Sequence, residues 1–157
     1  MFYKSKMVNK LKYLALLVFL YGCIEINLFE KQVPIEGQSW SRSDTPEFSF
    51  EIRDTVSLYN VYIVIRHTDL YGYNNLWLNI GRQAPGDSMR FEKYNFALAD
   101  AKGWEGAGMD DIFEVRKLFA TGTFRQAGTY KFAIAQIMRD DPLRYIMSVG
   151  LRVERVE

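Results

Sequence analysis

From Phe48 onward, apolar residues recur at every second position, the spacing of strands that turn one face to a core. Phe48, Phe50 and Ile52 alternate with Ser49, Glu51 and Arg53, and Leu76, Leu78 and Ile80 with Trp77, Asn79 and Gly81. Tyr130, Phe132 and Ile134 repeat the pattern, and Val149, Leu151 and Val153 close it. Tyr59 to Ile65 is almost continuously apolar or aromatic, which predicts a central strand covered on both faces. Asn74-Asn75 precedes Leu76, and in Ala84-Pro85-Gly86-Asp87 proline and glycine suit the middle of a type II turn. A hairpin of Leu76–Arg82 with Ser88–Tyr94 follows. Short strands with turn residues between them predict an all-β fold, an antiparallel β-sandwich of the jelly-roll-like kind. Only a turn around Gln136–Arg139 reads as helical in this portion. Asp100 to Asp111, with Gly103, Gly106 and Gly108, reads as a long loop, a length more often functional than accidental.

The N-terminus follows a different pattern. Lys4, Lys6, Lys10 and Lys12 precede the apolar run Tyr13 to Leu20, with no acidic residue before Cys23, as in a signal peptide. The run is well short of the ~20 residues that cross a bilayer as a helix. Leu20-Tyr21-Gly22-Cys23 fits the approach cleaved by lipoprotein signal peptidase once diacylglycerol is on the thiol. Cys23 is also the sole cysteine, so it has no internal disulfide partner. Each buried methylene of an acyl chain contributes about 0.8 kcal/mol, so two or three chains hold almost irreversibly. The expected organisation is a signal peptide over 1–22, a lipidated tether over 23–39 broken by Pro34 and Gly37, and a β-sandwich domain over 40–157. At 3.3–3.6 Å per residue, such a tether would reach up to ~60 Å.

Charge and composition narrow the function. Removing 22 of 157 residues leaves 135, enough for one core. Four of the 20 basic residues leave with the signal, so 16 face 19 acidic ones and the balance becomes −3, which argues against a nucleic-acid partner. Three Trp, ten Tyr and eleven Phe favour sheets.

Candidate chemistry is sparse. His67, the single histidine, stands in Arg66-His67-Thr68-Asp69 without a nucleophile or metal motif and reads as a structural hydrogen-bonder. Asp110, Asp111 and Glu114 are oxygen donors that suit calcium, although the EF-hand spacing is absent, and solvated loop charges or pairing of Asp111 or Glu114 with Arg116 explain them better. Tyr71, Tyr73, Asn74, Asn75 and Trp77 combine aromatics and amides, the side chains that stack on sugars or anchor a partner protein, or that simply cap the sandwich. No catalytic residue, metal site or cofactor is expected beyond the covalent lipid on Cys23.

Several ordered stretches resemble the gliding-motility lipoprotein family GldH of Bacteroidota: Val64-Ile65-Arg66-His67-Thr68-Asp69, Asn74-Asn75-Leu76-Trp77-Leu78, Gln83-Ala84-Pro85-Gly86-Asp87, Gly106-Ala107-Gly108-Met109-Asp110-Asp111-Ile112, Met138-Arg139 with Asp141-Pro142-Leu143, and Val149-Gly150-Leu151-Arg152-Val153-Glu154. The resemblance runs from Cys23 to the C-terminus. At Phe113-Glu114-Val115-Arg116 the family more often has Trp-Glu-His-Arg. It implies a non-enzymatic lipoprotein required for gliding and associated protein secretion, with other gliding or secretion lipoproteins or envelope proteins as partners. The expected place is the cell envelope, lipid-anchored to the outer membrane and facing the periplasm, since Ile24-Glu25-Ile26-Asn27 offers a single acid after the anchor. The alternative is a carbohydrate-binding module of the envelope, using the five aromatic and amide residues.

Overall fold

A computed structural model describes residues 27–156. In chain order the strands are β1 (Asn27–Pro34), β2 (Ser39–Trp40), β3 (Glu47–Ile52), β4 (Tyr59–Thr68), β5 (Asn75–Gln83), β6 (Arg90–Ala97), β7 (Ala99–Asp100), β8 (Gly103–Trp104), β9 (Ala107–Met109), β10 (Ile112–Gly122), β11 (Gly128–Gln136), β12 (Leu143–Arg144) and β13 (Ile146–Arg155). Two antiparallel sheets, β1-β13-β4-β10-β9 and β3-β11-β5-β6, pack face to face. At one side Phe29 of β1 meets Phe50 of β3, ring centroids 5.3 Å apart; at the other Phe119 of β10 meets Tyr94 of β6 at 4.8 Å. The alternating apolar residues fill the space between: Phe48, Ile52, Leu76, Leu78, Ile80, Phe132, Ile134, Val149, Leu151 and Val153 are all buried. The all-β sandwich expected from the alternation is the fold observed. Among the described residues no helix is long and apolar enough to cross a membrane.

The β5–β6 hairpin forms where local chemistry placed it, with Asn75 opposite Ala97 and Arg82 opposite Arg90. Asp87 N–H donates to Ala84 O at 3.1 Å and Gly86 has φ +73°, the left-handed value that a type II turn requires. Tyr59–Ile65 lies in the central strand β4, between β13 and β10. Its inward residues and Val64 are buried, while outward Asn60 and Tyr62 are only half-covered, so both-face burial holds for the middle of the strand alone.

Three expectations need correction. The tether over 23–39 does not extend through its described part, because β1 pairs with β13 from Asn27↔Glu154 to Pro34↔Ser148. Phe29 and Val33 pack on the core, and Pro34 ends this edge strand, where a missing N–H is tolerated. Gln136–Arg139 is not helical, since Gln136 ends β11 and Ile137 N–H donates to Trp77 O at 3.0 Å. The segment Asp100–Asp111 is not a free loop either. It holds a β7–β8 hairpin and strand β9, which pairs with β10. Gly106 permits this pairing, because a Cβ there would stand 2.1 Å from Glu114 O and the backbone has φ +90°.

Candidate functional site

Register sorts the loops into two groups. Thr68 lies opposite Ile112, His67 opposite Ile146, Asn75 opposite Ala97 and Gln136 opposite Leu78, so loops 69–74, 110–111 and 137–145 meet at one end of the sandwich. This is the distal end. At the proximal end Asn27 enters β1 opposite Glu154, beside loops 53–58, 84–89 and 123–127. Most of the motif stretches quoted above, from His67–Asp69 to Asp141–Leu143, converge on the distal end.

A buried polar network fixes that end. The Gln136 amide donates to Trp40 O (3.3 Å) and Asp140 O (3.2 Å), while its Oε1 accepts Met138 N–H (2.8 Å). From the other side the Arg42 guanidinium donates to Met138 O at 2.7 Å and the Arg42 N–H to Asp141 Oδ1 at 2.8 Å. Tyr145 is held at φ +69°, a strained value for a bulky residue, by its N–H on Gln38 O (2.7 Å) and its carbonyl under Thr68 N–H (3.1 Å). These bonds shape a cavity of about 430 Å³ lined by Leu70, Tyr71, Tyr73, Asp140, Pro142 and Tyr145. Leu70 stands 63% exposed on its rim. The three loops carry Asp69, Asp110, Asp111, Asp140 and Asp141 against Arg139 and Arg144, an acidic surface with apolar anchors.

The five aromatic and amide candidates do not share one face. Tyr71 is buried, a correction to its reading as a surface residue: its hydroxyl donates to Asn75 O at 2.9 Å, and burial pushes the phenol well above its ordinary value. Tyr73 donates to Asp140 Oδ2 at 2.7 Å, a bond that raises its pKa. Asn74 is exposed. The Asn75 amide instead donates to Asn95 Oδ1 at 2.7 Å, and Trp77, 41% exposed, stands outward on β5 opposite Asn95.

The calcium candidates are also separated. Asp110 (φ +55°) and Asp111 form the two-residue turn between β9 and β10, where aspartate tolerates the left-handed conformation, and Asp111 O accepts Asp69 N–H at 2.8 Å. Glu114 lies along β10, accepting Arg116 at 2.9 Å and the Gln32 amide at 3.2 Å. Among the described residues no three acidic, histidine or cysteine side chains are grouped to hold a metal ion. His67 is closed to solvent amid Tyr71, Trp104 and Phe113, with Nδ1 2.8 Å from Thr68 O, and burial lowers its pKa. An imidazole so enclosed has no substrate to meet. Cys23 lies outside the described residues.

Asp140, Tyr145 and the Gln136 clamp are absent from the sequence candidates. Tyr71 and Tyr73 were the local signals for this cavity, and exposed Leu70 beside them is a further one.

The family model described as GldH lipoprotein matches residues 27–153. The chain belongs to the GldH lipoprotein family. It is 25% identical to the gliding motility lipoprotein GldH of Flavobacterium johnsoniae over 146 residues, 88% of this chain and 91% of that one. It is 24% identical to a GldH homolog of Christiangramia forsetii over 148 residues, 88% and 90% of the two chains. Among solved structures, the insecticidal delta-endotoxin Cry8Ea1 of Bacillus thuringiensis aligns over 76% of this chain and 19% of its own, at 16% identity and a TM-score of 0.44. A structure of infectious bursal disease virus, Gt strain, aligns over 82% and 31%, at 13% and 0.36.

Proposed function

We propose that this GldH-family lipoprotein is a lipid-anchored component of gliding-motility machinery and its associated protein secretion, acting by holding partner proteins and not by catalysis. The membrane holds it through acyl chains on Cys23, at the outer membrane and facing the periplasm. One observation supports this reading above others: four of the six stretches that resemble the family converge on the end of the sandwich farthest from where β1 enters. Cys23 precedes Asn27 by four residues, a reach of at most ~14 Å in place of the ~60 Å of a free tether. The proximal end therefore stands near the bilayer, and the distal end points into the compartment. There the acidic loops, Leu70 and Tyr145 offer a rigid surface with apolar anchors, the combination that concentrates binding energy at protein interfaces.

Deleting the gene tests the reading. Colony spreading and adhesin secretion should both fail, wild type should restore them, and Cys23→Ser should not. A double change of Leu70→Arg and Tyr145→Arg should leave the protein in the membrane fraction yet fail to restore spreading. Unchanged spreading and secretion in the deletion strain would overturn the proposal.

A further inference from the structure

The second cavity, at the proximal end, is unlike the distal one. About 480 Å³ in volume, it opens between the sheets beside the end of β10 and lies within the roughly 300–1,000 Å³ of small-molecule sites. Its floor is aromatic: Phe124 meets Tyr130 at 4.6 Å and Tyr59 at 5.3 Å, and Phe119 meets Phe132 at 6.1 Å. A bulge between Leu118 and Ala120 makes this room. Ala120 sits opposite buried Val61 and Phe119 packs on Phe132, so two consecutive residues face inward, one of them only a methyl.

The rim is cationic. Arg82, Arg90 and Arg125 line the cavity against a single carboxylate, Asp87. Arg82 and Arg90 are direct cross-strand partners, an arrangement in which like charges repel. Their own ion pairs, to Glu92 at 4.0 Å and Asp87 at 3.6 Å, are long and mostly exposed, and such pairs offset little. Arg125 has no ion-pair partner among the described residues. On the neighbouring loop Val56 is 85% exposed.

We infer that this cavity binds an anionic amphiphile of the membrane, its apolar chain in the aromatic trough and its phosphate or carboxylate on Arg82, Arg90 and Arg125. Guanidinium groups hold such oxyanions through paired, charge-assisted hydrogen bonds. The nearness of the bilayer rests on the Cys23 anchor; the chemistry of the cavity does not.

The test uses the full-length protein purified in a neutral detergent, where anchoring plays no part, with photoactivatable phosphatidylglycerol, phosphatidylcholine and fatty acid as probes. Labelling by the anionic probes should map to 82–90 and 119–125 and exceed that by phosphatidylcholine about tenfold, the ratio expected when charge-assisted bonds are lost. A stronger signal from phosphatidylglycerol assigns the head as a phosphodiester, one from the fatty acid as a carboxylate. Changing Arg82, Arg90 and Arg125 together to Gln should lower labelling by a similar factor; filling the trough with Ala120→Trp should do so independently, while Lys93→Gln on the outer sheet face should not. Equal labelling by phosphatidylcholine, or undiminished labelling of both cavity variants, overturns the inference. Membrane fractionation of Cys23→Ser reports separately on the anchor.

Discussion

The two ends of this sandwich are built by different means. At the distal end, hydrogen bonds with fixed geometry hold the loops: Gln136 uses its amide three times, Arg42 twice, and Trp40 donates from its indole to Asp44 O at 2.8 Å. At the proximal end, rings pack edge to face around an open cavity, and Arg82 and Arg90 on its rim have only exposed ion pairs. Directional bonds permit one arrangement, because a buried donor left unpaired is costly. Ring contacts tolerate a shift of the neighbouring side chain. The rigid end suits recognition of a partner of fixed shape, and the looser end suits a ligand with a flexible chain.

Changes that break this contrast are ordered by size. Trp40→Ala, at a fully buried site, should cost about 3–5 kcal/mol in chemical denaturation, and the half-buried proximal Phe124→Ala distinctly less. Equal costs would erase the difference between the ends. Next comes Gln136→Leu, which strands Met138 N–H and the carbonyls of Trp40 and Asp140 and should cost about 1–3 kcal/mol. Its signature is faster amide exchange confined to the distal loops; exchange quickened at both ends would show that the network is not local.

Acid separates the ends further. His67 is kept neutral by burial, with its pKa below the ordinary 6.5, so the unfolded chain binds a proton before the native one does. Stability is complete above pH 6.5 and declines as pH falls below it. His67→Phe should flatten melting temperature from about pH 7 to about pH 5, and an unchanged slope would assign the acid sensitivity elsewhere. The smallest effect lies at the proximal Asp54. Its carboxylate accepts the Ser57 hydroxyl and the Val56 and Ser57 N–H groups, which lowers its pKa to about 2. The stability it contributes is present above pH 3.8 and lost as pH drops toward 2. Asp54→Asn should melt slightly below wild type at neutral pH, and the gap should close by that lower limit.

Legibility in the sequence followed the range of the interactions. The β5–β6 hairpin could be read because its turn, Ala84 to Asp87, is complete within four residues. Strand β10, the longest at 11 residues, is not among those the alternation marks: Lys117 breaks its inward face, held there by Glu105, and a bulge shifts the register beyond Leu118. Strand β1 was hidden by its polar edge residues and by Pro34. In the candidate site, Tyr71 and Tyr73 were visible as a pair, and Tyr71's partner Asn75 O is local, but Tyr73's partner Asp140 lies 67 residues away on another loop. The glycine-rich segment looked like a binding loop because glycine permits both freedom and close contact, and only the position of Glu114 O decides between them.

What the sequence determined by itself is local or additive: the alternation that makes an all-β domain, the tight turns, and the family. Tertiary structure decided what depends on distant partners. Outside the β5–β6 and β9–β10 hairpins, the main sheets join strands far apart in the chain, so no spacing along it records that β1 lies on β13 or that β4 lies between β13 and β10. For the same reason two cavities at opposite ends, one acidic and rigid, the other cationic and aromatic, appear only when the strands are in register.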